Sequence, residues 1–253
     1  MAYADDSAVR IAGKNWTSIA ALLTRKLNRI ASWLYQNRLI LNVDKSTFIT
    51  FGNYRDSVPD ELQVGINGCD LKRVSSCKYL GLTYDFNLKW DVYINDTVKK
   101  LKYLVYVFYK LRQMLTRKQL LQIYFGIFNS VAVYGIIGWG GIYNSNFDQL
   151  DRLQKRILKI IGISDDAQDR PLDIKQIFIL NSIVYQYQEL KNEYQCNPIN
   201  TRFKSVKLPK YSSTIFERSY KYFSKKFFNK LPNNLKCLNT SNKKLLKKSH
   251  KVK

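Results

Sequence analysis

The sequence begins with a short stretch, YADD from Tyr3 to Asp6, that places two adjacent carboxylates after an aromatic residue. Adjacent like charges repel each other, so such a pair costs stability unless a cation or water compensates it. One interpretation is a tight turn with solvated aspartates, because Asp is common in turns. The other is a strand–turn–strand corner that presents a carboxylate to a divalent metal ion. The residues that follow decide between them.

The composition indicates a folded, strongly basic protein. The chain has 253 residues, enough for one or two domains. Its content of 45% hydrophobic and 14% aromatic residues excludes a disordered chain. There are 42 Lys and Arg residues against 19 Asp and Glu, a formal net charge of +23. Such a charge attracts nucleic acid first and an anionic membrane second, although a merely soluble Lys-rich protein is the plainer alternative. Charge and aromatic content together favour nucleic acid.

Cysteine and histidine usage predicts neither a zinc site nor a disulfide scaffold. The four cysteines show no C-x-x-C spacing and His250 is the single histidine, whereas structural zinc needs four N or S ligands within reach of one another. The N-terminus lacks the basic-then-apolar pattern of a signal peptide. An intracellular setting, cytoplasm and nucleus, is therefore expected. The cysteines are Cys69, Cys77, Cys196 and Cys237.

One segment, residues 119–147, carries no charge and is mostly apolar. A membrane-spanning helix needs about 20 such residues, so a span is one interpretation. Polar Gln122, Asn129 and Ser130 near the middle, and several glycines at the far end, argue against it. A buried helix followed by a glycine-hinged turn is the preferred prediction, and no membrane partner is expected.

The first third of the chain predicts a small sheet with one helix across it. Apolar residues recur at helical spacing from Trp16 to Asn37. SAVRIAG before this helix indicates a short β-like run, and RLILNVDKSTFITFG after it indicates strand, polar turn and strand. The Asn67-Gly68 dipeptide predicts a type I′ hairpin between LQVGI and CDLKRV, and a further strand, CKYLGLTYD, follows.

The rest of the chain predicts helices. The first predicted helix covers residues 91–115, and a capping box of Thr116 and Gln119 begins the second. The third covers residues 146–161. The fourth has Pro171 as its first residue and extends to about Asn192. The helix at 146–161 is amphipathic, and although a basic helical face is more often simply solvated, this one belongs to a strongly basic chain. Its apolar stripe is Leu150, Leu153, Ile157 and Ile160, and its basic stripe is Arg152, Lys155, Arg156 and Lys159.

The order of these blocks resembles the second half of the reverse transcriptases of non-LTR retrotransposons, in the jockey-like and related groups. The resemblance is carried by YADD and a helix, then LNVDKSTFITFG, a hairpin, KYLGLTYDFNLKW, LRQMLT, the Tyr134-Gly135 to Trp139-Gly140 stretch, LDRLQKRILKIIG and FNKLPNNLK. It covers nearly the whole chain. A group II intron maturase has a similar YADD but fits KYLGLTYDFNLKW and FNKLPNNLK less well.

The resemblance implies an α+β fold in three parts. Residues 1–88 would be a partial polymerase palm, a small antiparallel sheet with one helix that includes the YADD and primer-grip-like hairpins. Residues 89–163 would be a helical thumb. Residues 164–253 would be a basic, mostly helical C-terminal region with a frayed tail.

The chemistry implied by the resemblance is RNA-directed DNA polymerisation with two Mg²⁺ ions. Such ions lie about 3.5–4 Å apart and stabilise the attacking and leaving oxygens, and Mg²⁺ suits carboxylates at a β-turn. Asp5 would be the principal ligand and Asp6 a secondary one, with Tyr3 packed beneath them to help seat the primer end. Lys45 would neutralise the triphosphate or protonate the departing pyrophosphate; an ordinary loop lysine is the alternative.

The resemblance also implies contacts to primer and template. The block Lys78-Tyr79-Leu80-Gly81 matches the primer-grip hairpin, where Gly81 would allow close backbone approach and Tyr79 would offer a stacking surface; a plain buried strand is the alternative. The implied partners are an RNA template, an RNA–DNA or DNA duplex and deoxynucleoside triphosphates. A thumb holds the duplex by phosphate contacts that weaken with salt. Candidates for these contacts are Lys99, Lys100, Arg112, Arg117, Lys118 and the basic stripe from Arg152 to Lys159.

The chain departs from the family pattern before YADD. In the family, the fingers, the strand with the third catalytic aspartate and the nucleotide-selecting segment precede YADD, whereas here only Met1 and Ala2 do. Asp44 and Asp85 occupy positions that the family uses otherwise, and the family's frequent C-terminal Cys/His cluster is missing. We therefore expect this chain alone not to extend a primer. A non-catalytic nucleic-acid-binding fragment and a relic reading frame are the alternatives.

Overall fold

The structure is a computed structural model that describes residues 2–3, 6–52, 58–141, 144–196, 206–210, 214–232 and 235–236. For residues 2–3, 144–146 and 191–196 it describes the backbone alone. The chain divides into two compact units, Met1–Tyr93 and Ile94–Lys253. Each unit is described by itself.

The first unit contains one long helix, α1, Trp16–Gln36. Asn15 caps its start, because the side-chain oxygen accepts a hydrogen bond from the backbone N–H of Thr17 at 2.9 Å. Ala20 on α1 joins Phe48 and Val64 in an apolar cluster. The helix predicted from Trp16 to Asn37 is confirmed, with Asn37 as its C-cap.

Eight short strands pair two by two in the described part of this unit. The β3–β6 pair is parallel, whereas the sequence predicted one small antiparallel sheet. Alternation along a strand predicts which side chains share a face, but not which strand lies alongside. The pairs are β1 (Ala2–Tyr3) with β2 (Asp6–Ser7), β3 (Thr47–Phe48) with β6 (Lys72–Arg73), β4 (Gly65–Ile66) with β5 (Cys69–Asp70), and β7 (Ser76–Tyr79) with β8 (Leu82–Asp85).

Two predicted strands are wrong in whole or in part. Residues 38–43 form no strand: Ile40 is 98% exposed, and the Asn42 side chain accepts a hydrogen bond from the Lys45 N–H at 3.1 Å in the turn that follows. In the predicted β-like run at residues 7–13, only the first residue, Ser7, belongs to a strand. Apolar composition does not make a strand where no neighbouring strand completes the backbone hydrogen bonds.

Two hairpins of this unit reverse through left-handed residues. Asn67 and Gly68 have φ angles of 51° and 78°, as a type I′ turn requires, so this predicted hairpin is confirmed. CKYLGLTYD, predicted as one strand, is instead the β7–β8 hairpin. Leu80 and Gly81 have φ angles of 48° and 78° and turn the chain back on itself.

Helices dominate the described part of the second unit, and the first of them, α2 (Asp91–Leu111), starts in the first unit. The next, α3 (Arg117–Ile123), begins at the predicted capping box of Thr116 and Gln119, which is confirmed. A π-helical turn (Tyr124–Asn129) and α4 (Ser130–Ala132) continue it. The remaining helices are α5 (Ile136–Trp139), α6 (Asn144–Ile161), α7 (Ile174–Cys196), α8 (Thr214–Glu217) and α9 (Tyr220–Lys230).

Several helix boundaries differ from the predicted ones: α6 begins at Asn144 instead of residue 146, and α7 extends to Cys196. Helix α2 ends before residue 115, because the hydrogen bonds tighten there to a shorter turn, as from the Gln113 N–H to the Lys110 carbonyl at 3.2 Å. Helix α7 starts three residues after Pro171. Its start is capped by Gln176, whose side-chain oxygen accepts from the Asp173 N–H at 3.0 Å.

The uncharged segment packs one face into the second unit. Tyr124, Phe128 and Trp139 are fully buried, and Gly135, with φ of 63°, ends the turn that precedes α5. The predicted helix followed by a glycine-hinged turn is thus found, but the helix is buried on one face only, because Phe125 and Ile127 are 50% and 48% exposed. Within the described ranges, the helices are all too short or too polar to cross a membrane.

Candidate nucleic-acid interface

The described backbone around the aspartate pair forms two short paired strands. Strands β1 and β2 are antiparallel, with Ala2 opposite Ser7 and Tyr3 opposite Asp6, and the Asp6 residue is exposed. Asp5 and the side chain of Tyr3 lie outside the described residues. The described residues hold no group of three metal-ligating side chains, and because Asp5 is not among them, the metal site stays a prediction.

Lys45, the predicted phosphate-facing lysine, is an exposed residue of the turn that precedes β3. Its backbone N–H is held by the Asn42 side chain, and the Ser46 hydroxyl donates to the Asn42 carbonyl at 2.8 Å. The ion pairs among the described residues do not join Lys45 to Asp6. The role of Lys45 therefore stays a prediction.

The Lys78–Gly81 block forms the second half of β7 and the tip of the β7–β8 hairpin. Lys78 and Gly81 are exposed, while Tyr79 and Leu80 are half-buried. Its turn matches the Asn67-Gly68 turn in φ, yet it has leucine at the first left-handed position. A non-glycine residue with a long side chain is strained there by roughly 1–2 kcal/mol. Such strain at a hairpin tip is a pointer to function.

Replacing Leu80 with asparagine is expected to stabilise the first unit. Asn tolerates the left-handed conformation, as Asn67 does in the matching turn, so the gain should be about 0.5–1 kcal/mol in urea unfolding. Gly81→Ala is the opposing control, because it places a Cβ at φ of 78° and should cost about 1 kcal/mol. A lower stability for Leu80→Asn would mean that leucine packing outweighs the strain.

Asp85 is a structural carboxylate that fixes the hairpin to the start of α2. It is 7% exposed, and its oxygens accept hydrogen bonds from the backbone N–H groups of Lys89 at 3.1 Å and Trp90 at 3.0 Å. Leu88 and Trp90 adopt left-handed φ angles of 51° and 65° in this connection. The buried Trp90 ring lies 5.0 Å from the Tyr84 ring, centroid to centroid.

This arrangement gives the DFNLKW part of the KYLGLTYDFNLKW block a structural explanation. The carboxylate of Asp85 is occupied by backbone donors, which agrees with leaving it out of the catalytic residues. Asp85 is not a helix cap, because Lys89 and Trp90 both precede the first residue of α2. Sequence reasoning assigned no structural role to Asp85.

Helix α6 presents a strongly basic surface, and its amphipathic character is confirmed. Leu150, Leu153 and Ile157 are buried, together with Leu158 and Ile161, while Ile160 is only half-buried. The α6 basic face consists of the four exposed residues Arg152, Lys155, Arg156 and Lys159. None of them takes part in the ion pairs among the described residues. They span about 10 Å along the helix.

A buried glutamine fixes the rotation of α6. The Gln154 amide donates to the Tyr124 hydroxyl at 2.8 Å and to the Leu172 carbonyl at 2.9 Å. Burial raises the pKa of the Tyr124 phenol to about 12, so the phenol stays neutral at physiological pH. Because Gln154 points inward, the α6 basic face points outward. The apolar and basic stripes in the sequence did not identify Gln154 as a residue that positions α6.

The other predicted duplex contacts are also exposed. Lys99, Lys100, Arg112 and Lys118 lie on the surface of α2, its C-terminal turn and α3. Arg117 differs, because its guanidinium binds both carboxylate oxygens of Asp169, at 2.7 and 2.8 Å. This exposed pair adds little stability, but it gives Arg117 a contact within the protein that the sequence did not predict.

The FNKLPNNLK block closes the packing of α7 and α9. Phe228 is buried with Ile183, Tyr187 and Leu190 in one apolar cluster. The Asn229 side chain accepts from the Val206 N–H at 2.7 Å and donates to the Val206 carbonyl at 2.8 Å. The described part of this block therefore has a structural role, which sequence reasoning had not assigned.

Two curated proteins of Drosophila melanogaster are similar to this chain. The probable RNA-directed DNA polymerase from transposon BS is 26% identical over 165 residues, and the RNA-directed DNA polymerase from mobile element jockey is 26% identical over 167 residues. Each match covers 63% of this chain and 18% of the relative's length. This similarity supports the relationship to reverse transcriptases of mobile elements that the sequence blocks imply. No protein-family model and no solved structure matches the chain.

Proposed function

We propose that this chain is the palm-and-thumb part of an RNA-directed DNA polymerase of a jockey-like non-LTR retrotransposon, and that it holds RNA–DNA hybrid by its phosphates. The observation that carries the proposal is the α6 basic face, in a chain similar to two such polymerases. Four outward cations on a buried, well-anchored helix are suited to phosphates. They are not arranged around a pocket that could select a small ligand.

Phosphate contact explains why a polymerase would use such a surface. A polymerase must hold every sequence equally, and contacts to the phosphate backbone position a duplex without reading its bases. The packing of α6 through Leu150, Ile157 and Gln154 holds the four cations on one rigid element. Binding by this face would therefore be strong at low salt and indifferent to sequence.

At the catalytic corner, we propose Asp5 and Asp6 as ligands of Mg²⁺. Asp6 is exposed on β2, and carboxylate oxygens are the ligands that Mg²⁺ prefers, so the described member of the pair fits the ion. Bound Mg²⁺ would stabilise charge on the reacting phosphate oxygens. Tyr3, paired with Asp6, would support the corner, Lys45 would neutralise the triphosphate, and the β7–β8 hairpin tip would contact the primer.

Changing the four residues of the α6 basic face to glutamine is expected to weaken hybrid binding at least about tenfold at roughly 0.1 M KCl. Each lost phosphate contact should also lower the slope of log K against log salt by about 0.7–0.9. The measurement is fluorescence anisotropy with a labelled RNA–DNA hybrid across a KCl series. The substituted side chains are exposed, so the fold should be retained.

The matched control changes exposed lysines of the first unit, Lys14→Gln and Lys26→Gln. This variant removes charge that does not belong to α6 and should change the affinity and the slope much less. Equal losses in the two variants, normalised to the charge removed, would mean that net charge binds the hybrid and that the α6 basic face has no special role.

A nucleic-acid-binding chain without polymerase chemistry is the second candidate, and the α6 basic face supports it equally. The two candidates predict the same hybrid binding and differ in nucleotide transfer. Template-dependent incorporation with Mg²⁺ that disappears in Asp5→Ala would favour the polymerase, and it would overturn the expectation that this chain alone does not extend a primer.

A further inference from the structure

Helix α2 carries three large aromatic side chains in solvent. Tyr103, Tyr106 and Tyr109 are 68%, 59% and 53% exposed. They follow one another at three-residue intervals, so each ring is displaced along the helix from the next by about 4.5 Å. On the opposite side of the same helix, Leu101 and Phe108 are buried. The tyrosines are therefore outside the core that holds α2 in place.

Lysines lie among these tyrosines on the same side of α2. At 3.6 residues per turn, positions 99, 102, 103, 106, 109 and 110 fall within one sector of the helix. The Lys110 ammonium lies 5.7 Å from the centre of the Tyr106 ring, within cation–π range. We call this surface the α2 tyrosine face. It consists of Lys99, Lys102, Tyr103, Tyr106, Tyr109 and Lys110.

The α2 tyrosine face is positively charged, and one nearby carboxylate partly offsets this charge. Asp96 lies one turn before it, 4.0 Å from the Lys99 ammonium, and both side chains are more than half exposed. Lys102 and Lys110 take part in none of the ion pairs among the described residues. An acidic partner is therefore favoured over a basic one, and a purely apolar partner would leave these ammonium groups unpaired.

We propose that the α2 tyrosine face binds single-stranded nucleic acid by stacking unpaired bases on the tyrosine rings while the lysines contact the phosphates. Aromatic rings next to cations are the arrangement that binds single strands without sequence preference, because every base has a flat face to stack. A duplex keeps its bases stacked on each other and offers a helix face only its phosphates and groove edges. Exposed cations suffice for that, as on α6, and three tyrosines would add nothing.

This inference does not rest on the proposed polymerase function. Single-strand binding by α2 would stand in a protein that performs no nucleotide transfer and binds no hybrid. Conversely, hybrid binding by the α6 basic face would stand if α2 contacted nothing.

The test compares a labelled 12-nucleotide oligo(U) with an RNA–DNA hybrid of the same length by fluorescence anisotropy. One variant changes Tyr103, Tyr106 and Tyr109 together to alanine, and a second changes them to phenylalanine. Alanine is the best helix former and the three side chains are exposed, so α2 should persist. Tyr35→Ala is the matched control, because Tyr35 is 85% exposed and belongs to a different helix, α1.

The alanine variant is expected to bind oligo(U) at least about tenfold more weakly than the wild type, with hybrid affinity changed less than about twofold. The phenylalanine variant and Tyr35→Ala should both retain oligo(U) affinity, because stacking needs the ring and not the hydroxyl. Unchanged oligo(U) binding in the alanine variant would overturn the proposal and leave a protein partner as the occupant of this face. Equal loss for oligo(U) and hybrid would overturn single-strand specificity.

Discussion

Gly141→Ala is expected to disrupt the second unit. A Cβ at Gly141 would overlap the carbonyl oxygen of Arg218 and lie 2.7 Å from its carbonyl carbon. These are backbone atoms, which cannot rotate away as the end of a side chain can. The neighbouring Gly140 is also confined, because a Cβ there would overlap the Phe178 ring and lie 2.5 Å from the carbonyl oxygen of Ile136. Because they have no Cβ, the two glycines allow the end of α5 to lie close to the Phe178 ring on α7 and to the Arg218 backbone just after α8.

The loss of stability should be about 3 kcal/mol or more, since relieving the overlap requires a shift of packed backbone. For a protein of this size that corresponds to a fall in Tm of roughly 6–12 °C. Thermal unfolding followed by circular dichroism measures it. Gly126→Ala is the control in the same uncharged segment: nothing lies within 4 Å of its added Cβ. It should be neutral or slightly stabilising.

A Tm for Gly141→Ala within about 2 °C of the wild type would contradict the close approach of these segments. The prediction also bears on the sequence blocks. The stretch from Tyr134-Gly135 to Trp139-Gly140 resembles that of the reverse transcriptases, and the structure gives Gly140 and the buried Trp139 of this stretch a packing function.

Asp85→Ala is the second substitution with a large expected effect. It removes a buried carboxylate that accepts from the Lys89 and Trp90 N–H groups. It also removes the contact that holds Trp90 in a left-handed conformation. Hydrogen bonds to a charged group contribute about 1.5–3 kcal/mol, and the Trp90 N–H would be left unpaired in a buried position. The Lys89 N–H would keep a second acceptor, the Asn87 side-chain oxygen at 3.2 Å. We expect the first unit to lose roughly 2–3 kcal/mol in urea unfolding.

Near-ultraviolet circular dichroism should report the same change, because Trp90 packs on Tyr84 and Tyr93. Asp85→Asn keeps one acceptor oxygen and should lose less. Asp44→Ala, at an exposed loop position, should be close to neutral. An Asp85→Ala variant as stable as Asp44→Ala would show that the carboxylate does not hold this connection.

Local patterns in the sequence predicted local structure well. The type I′ turn at Asn67-Gly68, the Thr116–Gln119 capping box and the two faces of α6 all follow from residues near one another in the chain. Their free energies depend on short-range sterics and hydrogen bonds, which sequence spacing specifies directly. The same holds for α1 from Trp16 onward.

Interactions between distant residues were not predictable in this way. Tertiary packing determines which strand pairs with β3, which carbonyl lies against Gly141 and which groups form hydrogen bonds with Gln154. The local pattern predicted CKYLGLTYD as one strand, because leucine is a poor residue for the left-handed position that Leu80 occupies, and only the resemblance to a primer-grip hairpin implied a turn there. At the candidate site, exposure of the α6 basic face followed from periodicity, while the tyrosines of α2 were not singled out among the apolar residues of that helix.

The central claim is that this chain holds RNA–DNA hybrid by its phosphates, and the binding constant of the unmodified chain as a function of KCl concentration tests it most directly. We predict a straight log–log plot with a slope of several units, about 0.7–0.9 for each phosphate contacted, and nearly equal affinity for hybrids of different sequence. A flat response to salt, or a strong preference for one sequence, would contradict the claim.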